Sequence, residues 1–143
     1  MKLDHIGIAV EDLDAAIHHY ETVLKIPCDK REIVESENVE TAFFAVGDKD
    51  ISGFPLGVVA PKIELLGVTS PDSPIQKFLE KRGEGIHHLA FEVEDLEEEI
   101  DRLKDEGYTF LSETPKFGAD QKRIIFLHPK EHHGVLIELC QSV

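Results

Sequence analysis

The chain repeats itself, and the repeat limits the possible folds more than any other feature. Residues 5–17 read His-Ile-Gly-Ile-Ala-Val-Glu-Asp-Leu-Asp-Ala-Ala-Ile. Residues 88–100 read His-Leu-Ala-Phe-Glu-Val-Glu-Asp-Leu-Glu-Glu-Glu-Ile, an offset of 88 − 5 = 83. A second echo follows in the same order: Lys62-Ile63-Glu64-Leu65-Leu66 resembles Leu136-Ile137-Glu138-Leu139-Cys140. Each half therefore opens on a His in an apolar stretch and closes on a Glu in one. Two equivalent modules are expected.

Local patterning gives each module the order βαβββ, an α+β fold. Residues 3–10 alternate and are β-rich, which predicts a strand. Asp12 caps the helix that follows, with Leu13, Ala16, Ile17, Tyr20 and Leu24 on one stripe. Strands are expected at 30–35, 39–46 and 56–66. The second half predicts strand 86–93 and helix 95–106, stopped by Gly107. Strands near 108–112, 122–128 and 134–140 complete it. A short helix at 74–82 opens with Pro74 and ends at Gly83. The first module thus spans about 1–66, the linker about 67–85 and the second module about 86–143, within one domain of 143 residues. The run Glu97-Glu98-Glu99 lies off the apolar stripe and reads as a solvated face.

Side chains alternate across a strand. His5, Gly7 and Ala9 share one face, opposite Ile6, Ile8 and Val10. His88 and Ala90 share a face opposite Leu89 and Phe91. Glu64 and Glu138 each oppose bulky apolar neighbours. The bulky face is expected to pack on helices, and the small-residue face to hold His and Glu toward a ligand. A lone strand His is ordinarily just hydrogen-bonded, but four matched positions require a common cause. His5, Glu64, His88 and Glu138 suit a divalent first-row metal, with two neutral imidazoles and two carboxylates balancing its charge. His87 falls on the opposite face from His88 and does not align with His5. His128, His132 and His133 read as loop residues, and Cys140 as a small core residue.

The net charge is −14, which makes nucleic acid a poor partner. Residues 116–133 run against that balance. Lys116, Lys122, Arg123 and Lys130 outnumber Asp120 and Glu131, a local +2 that suits an anionic ligand. No apolar run approaches the roughly 20 residues of a membrane helix. The start carries no visible signal peptide, and two cysteines make no disulfide framework, so a cytoplasmic setting is expected.

Four stretches carry a resemblance: Asp4 to Val10, Gly85 to Phe91, Arg123 to Lys130 and Gly134 to Leu139. Through them the chain resembles the vicinal-oxygen-chelate superfamily, and within it the methylmalonyl-CoA epimerase family. The resemblance runs almost end to end. It implies paired βαβββ modules around a metal-holding cleft, and His5, Glu64, His88 and Glu138 as ligands. The Glu64 position is Gln in some relatives. The implied reaction is epimerisation of (2R)- and (2S)-methylmalonyl-CoA, by proton abstraction and return at C2 through a metal-stabilised enolate. The implied cofactor is one divalent metal, Co²⁺ first, with Mn²⁺, Ni²⁺ or Zn²⁺ as alternatives. A homodimer is implied as well.

By the same resemblance Glu40 matches a catalytic base, and Glu138 would be both ligand and second base. Lys116, Lys122, Arg123 and Lys130 would meet the anionic coenzyme A tail. Gly47 to Gly57 looks like a loop extension. Two other readings stand beside this one: a glyoxalase-type isomerase acting on a glutathione adduct, and a metal-free ligand-binding protein on the same scaffold. An extradiol dioxygenase would use two His and one carboxylate, so Glu64 argues against it.

Overall fold

The structure, a computed structural model, describes residues 1–46 and 61–143. The Gly47 to Gly57 stretch, and the first part of the strand expected at 56–66, lie outside them. The chain divides into two compact units, one of residues 5–86 and one of residues 1–4 with 87–143.

The first unit is built from β1 (Lys2–Ala9, from His5 onward), α1 (Leu13–Leu24), β2 (Lys30–Val34), β3 (Val39–Ala45), β4 (Lys62–Val68) and α2 (Pro74–Arg82). Its strand order is β2-β3-β4-β1. β1 runs parallel to β4, and β2, β3 and β4 are antiparallel neighbours. The second unit holds β5 (Gly85–Glu92, from His87 onward), α3 (Leu96–Asp105), β6 (Lys116–Phe117), β7 (Lys122–Leu127) and β8 (Ile137–Ser142). Its order is β6-β7-β8-β5, with β5 parallel to β8. The two orders match, as the sequence repeat requires.

The shared Val-Glu-Asp-Leu has a structural cause. In both units it turns the first strand into the helix. Val10 and Val93 are buried. Asp12 and Asp95 cap α1 and α3, accepting from the Ala15 and Glu98 amides at 3.0 Å. Such a cap contributes about 1 kcal/mol. Leu13 and Leu96 begin the helices, and Glu97 to Glu99 in the first turn of α3 favour the positive end of its dipole. α2 spans the predicted 74–82. Ser73 accepts from the Ile75 amide, Pro74 needs no partner for an absent N–H, and Gly83 leaves the helix at φ 74°.

The bulky faces pack on α1 and α3 as expected. In the first unit Val10, Ile17, Ala42, Phe44 and Leu65 form one cluster with the α1 stripe. In the second, Leu96, Ile100, Ile125, Leu127 and Leu139 form another. α2 behaves differently. Ile75 and Leu79 cover Ala9, Val39 and Leu66, which lie on the opposite, small-residue face. The expectation that helices avoid that face therefore fails at its far end.

Two strand predictions are corrected. The strand expected near 108–112 is a single bridge, Phe110 to Leu127. The chain then bends through residues 111–114, and Pro115, which supplies no ladder donor, precedes the two-residue β6. The last strand runs 137–142 rather than 134–140, because His133 and Gly134 take positive φ, 58° and 83°. None of the helices among the described residues is long and apolar enough to cross a membrane.

Candidate functional site

Each unit contains one His–Glu pair, and the pairs are built alike. In the first unit Glu64 is flanked in the sheet by Gly7 on β1 and Phe43 on β3. His5 Nε2 lies 3.5 Å from Glu64 Oε1, and its ring meets Phe43 edge-on at 6.3 Å. In the second unit Glu138 is flanked by Ala90 on β5 and Phe126 on β7. His88 Nε2 lies 3.8 Å from Glu138 Oε1, and its ring meets Phe126 edge-on at 6.0 Å. The four residues are 4–6% exposed. The small residue beside each Glu leaves room for the imidazole, and the Phe forms the other wall.

Phe43 and Phe126 were missed in the sequence, although a signal existed. They are 126 − 43 = 83 residues apart, the offset of the His pair. Each also carries a lysine. Lys30 Nζ lies 5.3 Å from the Phe43 ring centre and Lys116 Nζ 5.8 Å from that of Phe126. Lys30 opposes Phe43 in the ladder and Lys116 opposes Ile124, so both lie on the face that carries the Glu.

A buried ionised carboxylate needs positive charge or a proton beside it. Glu64 and Glu138 each meet an imidazole Nε2, with apolar walls on both sides. Neutral nitrogen paired with anionic oxygen is a donor set for a borderline divalent cation. The residues present therefore fit the implied metal.

Glu40 does not join them. In an antiparallel ladder, directly opposed residues share a face. Phe43 opposes Glu64, so Thr41 and Phe43 share the Glu64 face, and Glu40, Ala42 and Phe44 point away from it toward α1. Arg31 Nε and Nη2 donate to the two Glu40 oxygens at 2.9 and 3.2 Å, and Nη1 lies 2.8 Å from Asp14 Oδ1. These carboxylates, Glu40 foremost, hold the guanidinium above its ordinary range. The expected base is thus an ion-pair partner on the outer face, and buried Thr41 occupies the site face beside it.

The basic segment also divides. Lys116 lies on the site face. Lys122 is buried, 3.3 Å from Asp4 Oδ1 and 3.4 Å from Glu92 Oε2, and donates to Ser142 Oγ at 3.0 Å. Burial opposes its charge, but Asp4, with Cys140 and Glu92, outweighs that and holds its ammonium above the usual lysine range. Arg123 opposes Gln141 on the α3 side and is bonded to Glu97. Lys130 sits exposed in the turn after β7. Lys122 and Arg123 are therefore each paired with this chain's own carboxylates, Lys122 in the interior and Arg123 at the surface. Cys140 is buried on the Glu138 face, and burial foremost pushes its thiol well up. It is an inert core thiol.

His87 is not the bystander the strand alternation suggested. Its Nδ1 lies 2.9 Å from Nδ1 of His88, with the two rings perpendicular.

Residues 4–126 match the family model of the Glyoxalase/Bleomycin resistance protein/Dioxygenase superfamily. The chain belongs to this superfamily. Among its members, the ethylmalonyl-CoA/methylmalonyl-CoA epimerase of Cereibacter sphaeroides is 39% identical over 142 residues, covering 98% of this chain and 97% of that one. The methylmalonyl-CoA epimerase of Mycobacterium tuberculosis superposes with a TM-score of 0.87 at 39% identity, covering 99% of this chain and 88% of the other. A variant of the Streptomyces coelicolor methylmalonyl-CoA epimerase, in complex with 2-nitronate-propionyl-CoA, gives 0.88 at 37%, covering 100% and 98%. The paired-module α+β fold is thus the superfamily fold.

Proposed function

We propose that this chain epimerises methylmalonyl-CoA, with one divalent cation held by His5, Glu64, His88 and Glu138. The observation that carries the reading is the duplicated pair: a buried His Nε2 facing a buried Glu in each unit. Full-length likeness to methylmalonyl-CoA epimerases supports the substrate. Co²⁺ is our first choice of metal, with Mn²⁺, Ni²⁺ and Zn²⁺ as alternatives. When bound, the cation supplies Lewis acidity that lowers the cost of negative charge on the thioester oxygen.

The remaining steps fall to this chain's own residues. Inversion at C2 removes a proton from one side of the carbon and returns one to the other. Glu138 takes one transfer. Glu64, the corresponding carboxylate of the first unit, takes the other in place of Glu40. Phe43 and Phe126 exclude water beside the carboxylates, which strengthens electrostatic stabilisation of the developing charge. Lys116 on the site face, and Lys30 in the corresponding place of the first unit, attract the anionic substrate.

The test is C2 proton exchange in deuterated water with each methylmalonyl-CoA epimer. Inversion with deuterium at C2 is expected, abolished by chelation and restored by Co²⁺. Unchanged substrate under all metals would end the reading. Glu64→Gln keeps an oxygen donor but removes a base, so exchange is expected to survive from one epimer only.

A further inference from the structure

We propose that His87 is a positioning residue that sets the tautomer of His88; this rests on the reading of His88 as a metal ligand. The two Nδ1 atoms are 2.9 Å apart, a hydrogen-bond distance that requires one proton between them. Nδ1 is the ring nitrogen nearer the backbone. Consecutive strand residues can therefore bring these atoms together although their rings start toward opposite faces. The rings stand at 90°.

The position of that proton decides what His88 offers at its other nitrogen. If His87 donates, a neutral His88 carries its proton on Nε2, aimed at Glu138 3.8 Å away. Nε2 then has no lone pair for a cation. If His88 donates, Nδ1 carries the proton and Nε2 presents its lone pair on the side where Glu138 presents its oxygen. Only this arrangement makes His88 Nε2 a ligand. Glu138 favours the Nε2–H form, and His87 as an acceptor favours the Nδ1–H form. His87 thus offsets the pull of the neighbouring carboxylate and prepares the ligand nitrogen. A hydrogen bond from the far nitrogen of a ligating His orients the ring and raises its basicity, and losing the partner typically costs 10–100-fold in affinity. The Phe126 ring, 6.0 Å away and nearly perpendicular, limits reorientation.

Two measurements on the purified protein test this without substrate, so failure of the epimerase reading leaves them interpretable. The first is Co²⁺ affinity by calorimetry. His87→Leu is expected to weaken binding by about 10–100-fold, and His87→Gln, whose amide oxygen can accept, to recover most of that loss. Equal affinities in wild type and His87→Leu would overturn the proposal, as would His87→Gln being no better than His87→Leu. The second covers the case in which His87→Leu does not fold. In metal-free wild-type protein, long-range ¹H–¹⁵N correlations report each ring nitrogen. His88 Nδ1 is expected to be protonated and His87 Nδ1 unprotonated. The reverse assignment would overturn the proposal.

Discussion

The two units carry the same His, Glu and Phe on matched strands, yet they finish that face differently. In the first unit the far end is apolar: Ile75 and Leu79 of α2 seal Ala9, Val39 and Leu66. In the second it is ionic: Lys122 is buried with Asp4 and Glu92, beside Ser142 and Cys140. Duplication therefore preserved the chemistry-bearing middle of each sheet and left its closure free to change. A helix lid needs only shape and apolar area. A buried ammonium needs partners at fixed distances, and it leaves charge behind when removed. The two ends should fail in different ways.

The largest effects belong to the shared middle. His5→Ala and His88→Ala should each lower Co²⁺ affinity by more than the roughly 10²-fold typical of losing an outer-shell partner, read by calorimetry. A large loss from one and none from the other would show that only one half holds the ion. Next come the closures. Lys122→Met removes a buried cation from beside Asp4 and Glu92 and should cost about 3 kcal/mol in urea unfolding. Leu79→Ala removes buried apolar volume and should cost a similar amount, about 3 kcal/mol.

The two losses are told apart by pH. The native Lys122 pKa lies above its ordinary value of 10.5. Its contribution is therefore complete below that value and disappears as pH rises through the native one. Wild type and Leu79→Ala should both lose stability on the alkaline side as pH climbs above 10.5, and Lys122→Met should lose less there. The smallest effects lie on the outer faces. Glu40→Gln and Arg123→Gln should leave turnover within about threefold of wild type, as surface substitutions away from a site do. A fall of about 10²-fold in Glu40→Gln would return it to the role of base.

This ordering reflects what could be read from the chain. His5, Glu64, His88 and Glu138 were legible because strand alternation and the repeat are local and mutually supporting. The helix at 74–82 was legible because Ser73, Pro74 and Gly83 mark its ends chemically. Alternation alone also groups Glu40 with Ala42 and Phe44. What it could not supply was the direction that group faces, which depends on pairing with β4 across a long sequence gap. The fate of Lys122 was hidden for the same reason, since Asp4 and Glu92 reach it only through the folded sheet. Nothing in Arg123 itself foretold Glu97, a helix residue the charge pattern marked only as solvated. His87 was set apart from His88 because alternation describes where side chains start, not where ring atoms end.

The placement of each His–Glu pair also bears on how the molecule folds. Each pair joins the first strand of its unit to the last, β1 to β4 and β5 to β8. Their members stand about 60 and 50 residues apart in the chain, so each parallel pairing closes a long loop, an entropic cost that slows such contacts. The pairs should therefore assemble late, after the hairpins and helices of each unit. An ion that needs them would find nothing to hold in a half-folded chain. Metal would then slow unfolding while leaving the folding rate nearly untouched, a kinetic brake on the native state rather than a guide toward it.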